Sequence, residues 1–230
     1  MRQRSHQGVL GKSTSFVAEN PAKNKYSDEQ ILAIEKSLSP DRFNSYVIQA
    51  KGDRNKAILL YERNTELSEA LFGVIQGVEI TLRNSIHRTL QRDKGFDAWY
   101  DHIHLERSES EALRLAKDTV QRHYKPVTPP RVVAQLSFGF WVRLTAGVYE
   151  KTLWVPYLNA VFPSKMSRSF LNNRLLKIKE LRNGIAHHER ISKRDLQRDY
   201  EDILETIGWL SPIVSNWVRN TTRFEKIPKA

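Results

Sequence analysis

The sequence predicts an all-α fold, and three observations carry that prediction. Apolar residues recur three and four apart along most of the chain, which places them on one face of a helix. No segment alternates apolar and polar residues between hairpin turn signals, as a half-buried strand would. Capping and breaking residues (Ser27, Pro40, Gly52, Gly95, Pro126) fall where the helical period starts or stops.

Residues 1–25 have few large apolar side chains and no period, and read as a disordered basic tail. Ser27 and Gln30 form the two ends of a capping box, so a helix starts there, with Ile31, Ile34 and Leu38 at helical spacing. Pro40 ends this helix and opens the next, whose Phe43, Val47 and Ile48 should face inward. Gly52-Asp53 is a break. From Arg54 almost to Leu90 the period is sustained, with Ile58, Tyr61, Leu67, Leu71, Val74, Val78 and Leu82 in one broad stripe. This predicts the central helix of a bundle, broken near Asn64, with Gly73 and Gly77 permitting close helix contact. Residues 96–106 are irregular and aromatic, and a charged helix spans 108–123. Pro126, Pro129 and Pro130 read as a stiff linker before the most apolar stretch, Val132 to Leu144. A helix with Leu171, Leu175, Ile178 and Leu181 inward should expose Arg168, Arg174, Lys177 and Lys179. A last helix spans 194–217, kinked at Pro212, with Tyr200, Ile203, Leu204, Ile207, Leu210, Ile213 and Trp217 inward. The domain plan is a tail (1–25), a single domain (26–220) and a flexible C-terminal tail (221–230).

Composition narrows the chemistry. The chain lacks cysteine, which excludes disulfides, thiolate metal sites and a Cys nucleophile. No apolar run approaches the ~20 residues of a membrane span, so a cytoplasmic protein without membrane contact is expected. Net charge is +11, which attracts polyanions, nucleic acid foremost.

The densest cluster of reactive side chains is Leu181-Arg182-Asn183-Gly184-Ile185-Ala186-His187-His188-Glu189-Arg190. Arginine offers a permanent charge and a fork of donors suited to phosphate. Histidine takes or gives a proton near neutrality. Together they suffice to cut RNA through its 2′-OH without a metal or other cofactor. Spacing alone leaves a structural role open, with Arg182 paired to Glu180 or Glu189. On a straight helix Asn183 and His187 share a face, but Arg182 and His187 lie about 140° apart. Either Gly184 distorts the helix or a second subunit completes the site. Glu79, Arg83 and His87, four apart in turn, form a second constellation on the long helix, readable as an ion-pair ladder or as support for the first. Residues 82–87 (LRNSIH) weakly echo 181–187. Arg174, Lys177 and Lys179 could form an RNA track beside the Arg/His cluster. Phe138-Gly139-Phe140-Trp141, embedded among apolar residues, reads as core rather than as a base-stacking surface.

Three stretches together resemble the Abi-like (abortive infection, AbiD/AbiF-type) proteins, within the wider HEPN superfamily. They are Val78 to Ile86 with its Glu79 and Arg83, Leu136 to Leu144, and Leu181 to Ile191. Their order and separation fit as well, so the resemblance covers residues 25–220. It implies a HEPN-type helical bundle with extra helices, metal-independent endoribonuclease activity giving 2′,3′-cyclic phosphate, a homodimer, and a role in phage defence. Carried over by position, Arg182 and His187 are the catalytic pair and Asn183 the polar companion, while His188 fits a longer spacing. Glu79, Arg83, His87, Arg174, Lys177 and Lys179 are the expected supporting or RNA-binding residues. The alternatives are a HEPN protein that holds a small RNA without cutting it, and a helical protein–protein interaction domain.

Overall fold

The computed structural model describes residues 25–123, 126–163 and 166–228. Nine α-helices and no strand occur among them, in keeping with the all-α prediction. Residues 1–24 of the expected basic tail and the last two residues of the chain lie outside the described set. The chain forms two compact units, divided between Leu60 and Tyr61.

The first unit contains α1 (Asp28–Leu38), α2 (Pro40–Gln49) and the opening turns of α3. Ser27 Oγ accepts from the Gln30 backbone N–H at 3.2 Å, and Gln30 Oε1 accepts from the Ser27 N–H at 2.9 Å, closing the capping box. Pro40 occupies the first turn of α2, where its missing N–H costs no helical bond. The buried stripe of α2 is Phe43, Tyr46 and Ala50, three and four apart. That phase turns Ile48 outward, contrary to the sequence expectation, and leaves it 71% exposed.

In the second unit α3 (Arg54–Lys94) is central and unbroken; the expected break near Asn64 is absent. Leu71, Val74, Ile75, Val78, Leu82, Ile86 and Leu90 are fully buried along it. Gly95, at φ 72°, ends it in a conformation that glycine enters without steric cost. The core around α3 is filled by α4 (Arg107–His123), α5 (Pro129–Gln135), α6 (Phe138–Arg143), α7 (Arg168–Ala186), α8 (Leu196–Leu210) and α9 (Pro212–Thr221). Pro129 and Pro130 start α5 instead of extending a linker, since their fixed φ suits a first helical turn.

The FGFW run on α6 is core, as expected. Phe138, Phe140 and Trp141 are buried, and Trp141 packs 6.1 Å from Trp99 between ring centroids. Arg143, at the end of α6, donates to the buried Glu109 of α4 at 3.3 Å. Burial pushes the Glu109 carboxyl upward. Donation from Ser108 at 2.5 Å and Tyr149 at 2.7 Å, with Arg143, outweighs this and holds it below the usual range.

The expected last helix is two helices. Ser211 takes an extended conformation (φ −163°), Pro212 restarts the helix, and Ser215 Oγ donates to the Leu204 carbonyl at 2.8 Å. The break resets the helical phase. Val218 is buried, whereas Ile213 and Trp217, expected inward, are 82% and 63% exposed. Gly77 permits the close packing expected of it: a Cβ there would stand 2.9 Å from Val218 Cγ2 and 3.2 Å from Ile207 Cδ1. Gly73 has open space above it and serves no such contact. Beyond α9, Phe224 and Ile227 are buried, with Phe224 against Tyr200. Among the described residues no helix is long and apolar enough to cross a membrane.

Candidate functional site

The site is built where α7 ends. The helix runs through Gly184 to Ala186, so Gly184 is not a point of distortion. His187 is the C-cap, and the chain then turns at His188, whose φ of 56° is left-handed. The His188 N–H donates to the Ile185 carbonyl at 3.0 Å, and the Glu189 N–H to the Gly184 carbonyl at 2.8 Å. This is a Schellman cap, in which a left-handed residue lets two backbone donors satisfy the last carbonyls. Glycine usually fills that position; here a histidine does. Gly184 has a different use. The Glu189 side chain folds back over it, and a Cβ at 184 would stand 3.3 Å from Glu189 Oε2.

The loop after His188 is clamped from α3. Asn64, 6% exposed, donates through Nδ2 to the Glu189 carbonyl at 3.1 Å. Its Oδ1 accepts from the N–H groups of Ile191, at 2.9 Å, and Ser192, at 3.4 Å. A buried amide that satisfies three backbone groups fixes the path of that loop. Ile191, buried beside it, adds an apolar anchor.

Arg182 sits one and a half turns back on α7. Its Nε donates to Glu79 Oε1 of α3 at 3.0 Å, so its carboxylate partner is Glu79 rather than Glu180 or Glu189. Arginine has five N–H donors; Glu79 takes the Nε proton, and the two Nη groups carry four more. Arg182 and His188 line one cavity of about 760 Å³, with Tyr61, Asn64, Thr65, Ser68, Glu69, Phe72 and Arg223 among its walls. Asn183 lines a different, open groove of about 440 Å³ with Lys177, Lys179, Glu180 and Glu189. His187 is exposed and lines neither. The fold therefore joins Arg182 to His188, the more distant histidine, and separates both from Asn183 and the two lysines.

The other expected residues divide. Glu79 supports the site directly through Arg182. Arg83 does not ladder to Glu79; its Nε donates to its neighbour Asn84 at 3.2 Å. His87 Nδ1 accepts from the indole N–H of Trp99 at 2.9 Å. Burial lowers its pKa, with Arg83 and Arg88 assisting and Asp97 opposing, so the ring is neutral at pH 7. The echo of the 181–187 sequence over 82–87 thus has a different environment, inside an unbroken helix.

Arg174 is not on an exposed basic face. It is 8% exposed, bonded to Glu205 at 2.9 Å and Asp202 at 3.2 Å, with Phe170 and Trp209 against its guanidinium. The buried guanidinium, held by the half-buried Asp202 and the exposed Glu205 of α8, makes Arg174 a lock between α7 and α8. Arg168 likewise bonds Glu150 at 3.2 Å and the Thr145 carbonyl at 3.1 Å. The expected basic track is therefore reduced to Lys177 and Lys179. No group of three or more His, Asp and Glu among the described residues is placed to hold a metal ion.

An all-α chain with an arginine and a histidine facing one cavity at a helix end is the class that fold and site define. A family model described as Abi-like protein matches residues 29–193. The chain belongs to the Abi-like family. No curated protein and no solved structure matches it.

The sequence reading missed Asn64 as a site residue, although a polar residue at helical phase within an apolar stripe was a usable signal. It also missed Thr65, Ser68, Phe72 and Arg223, which become neighbours of Arg182 only through tertiary packing.

Proposed function

We propose that the chain is an endoribonuclease of HEPN type that acts in abortive-infection defence against phage, with Arg182 and His188 as its catalytic pair. The observation that carries this reading is their joint presence in one cavity. Membership of the Abi-like family and the net charge of +11 support it further.

In this mechanism the Arg182 Nη groups hold the scissile phosphate, and Glu79 fixes the guanidinium from behind. His188 removes the proton of the ribose 2′-OH. The 2′-oxygen bonds to phosphorus, the P–O5′ bond breaks, and the leaving oxygen takes a proton from the imidazolium or from water. The products are a 2′,3′-cyclic phosphate and a 5′-hydroxyl. Arginine stabilises the charge that builds on the phosphoryl oxygens. No step needs a metal, and a DNA strand, lacking the 2′-OH, is not cut.

The test is incubation of purified chain with RNA in EDTA, followed by end-group analysis. Cyclic phosphate ends are expected from the parent and not from Arg182→Ala or His188→Ala. Cleavage only with added metal, or at unchanged rate in both variants, would remove the proposal. In infected cells the same substitutions should abolish any fall in phage yield that the parent causes.

A second reading, binding of RNA without cleavage, is favoured by one observation. Lys177, Lys179 and Asn183 form a groove away from His188. That reading predicts salt-sensitive RNA binding that survives His188→Ala.

A further inference from the structure

The cavity holding Arg182 and His188 has a second chemical character. Its α3 wall is one stripe, in which Tyr61, Thr65, Ser68 and Phe72 follow at intervals of four, three and four. At about 100° per residue they fall within ~60° of one another around the helix axis. Glu79, seven residues beyond Phe72, lies on the same stripe and anchors Arg182. Phe72 is therefore about 10 Å along the axis from that anchor, at ~1.5 Å per residue. Phe72 is 47% exposed and is the only Phe, Tyr or Trp of α3 between Leu71 and Leu90, where Ile80 is also exposed and the other large apolar residues are sealed in the core. A second cation, Arg223, paired with Glu69 of the same wall at 3.4 Å, completes it.

A site for phosphate alone would need only the guanidinium groups. An open aromatic face, hydroxyls and guanidinium together match an unpaired nucleotide, whose base stacks on a ring while its phosphate meets a cation. In duplex RNA the base faces are occupied by their neighbours, and the ring has nothing to stack on.

We propose that Phe72 is a base-stacking subsite of this cavity, taking the base of an unpaired nucleotide whose phosphate lies at Arg182, and that it makes the chain select single-stranded over double-stranded RNA. The proposal rests on the reading that the cavity handles RNA and adds the substrate form and the residue that selects it.

The experiment uses the full chain and a short fluorescent 2′-O-methyl RNA. This probe keeps bases and phosphates but has no free 2′-OH, so binding is read without cutting. The single strand should bind roughly ten-fold more tightly than its duplex, and Phe72→Ala should weaken single-strand binding by roughly ten-fold with little effect on the duplex. Phe72→Trp should restore it. Unchanged affinity in Phe72→Ala, loss that Phe72→Trp does not restore, or a changed oligomeric mass in Phe72→Ala would overturn the subsite. Cleavage of unmodified RNA separates the two layers. A parent that cuts RNA as fast as Phe72→Ala keeps the ribonuclease reading and loses the subsite. A parent that binds the probe through Phe72 but never cuts keeps the subsite and loses cleavage. A parent that binds neither strand and does not cut unmodified RNA overturns both.

Discussion

At His188 the backbone enters the left-handed region, at φ 56°, where a Cβ costs about 1–2 kcal/mol relative to glycine. Histidine tolerates this better than a bulky or β-branched side chain, and the Schellman bonds repay part of the cost. In the proposed mechanism this strained residue carries the general base, so the turn's cost is borne at the point where the chemistry occurs. Two substitutions separate strain from lost contacts, since both remove the ring. His188→Gly should be more stable than His188→Ala by about 1 kcal/mol, a difference of a few degrees in melting temperature. Equal melting temperatures would mean the left-handed turn is not held at this position. Both variants should lose RNA cleavage. The sequence made the chemical types here legible, Arg182 and the paired histidines above all. It could not say which histidine shares the arginine's cavity, because that depends on one φ angle past the helix end. Arg174 shows the opposite limit. Its spacing on α7 resembles an exposed cation, and only the approach of Asp202, Glu205 and Trp209 makes it a buried lock.

Among the elements, the α3–α7 pair determines whether the site exists. Asn64 reads in sequence as a weak point of a long apolar helix. In the fold it spends its amide on three backbone groups of the 189–192 loop, which keeps His188 over the cavity. Asn64→Ala should leave the buried Ile191 N–H without its partner and destabilise the second unit by about 1–3 kcal/mol. Cleavage should fall more than the unfolded fraction accounts for, because the loop loses its register. Asn64→Asp keeps the acceptor for Ile191 and should recover part of both. A variant with normal stability and normal cleavage would contradict the clamp. The positions of α1, α2 and α3 were legible because capping or breaking residues and apolar periods agree in them, and those of α4 and α7 from the apolar period alone. The α8–α9 break was half legible. Pro212 signals an interruption, but whether it kinks or separates a helix depends on Ser211 reaching an extended conformation and Ser215 bonding back to Leu204. The exposure of Trp217 and Ile213 follows from that break and could not be read from their helical phase.

For the whole molecule, the charge of +11 and the exposed apolar residues on α9 bear on partners. A homodimer, which the family resemblance implies, should give twice the chain mass by light scattering, and a parent at single chain mass throughout would exclude it. All-α architecture was legible as a whole because nothing in the sequence competes with the helical period. The central claim concerns the cavity that this architecture creates. The most direct test is the single-turnover rate of RNA cleavage in EDTA for the parent and for Arg182→Ala, His188→Ala and His187→Ala, each shown to fold by its melting curve. A loss of at least about 100-fold is expected for the first two, as when a general base or a charge-stabilising group is removed. His187→Ala should cut at a near-parental rate. Retained cutting by His188→Ala with loss in His187→Ala would contradict the central claim.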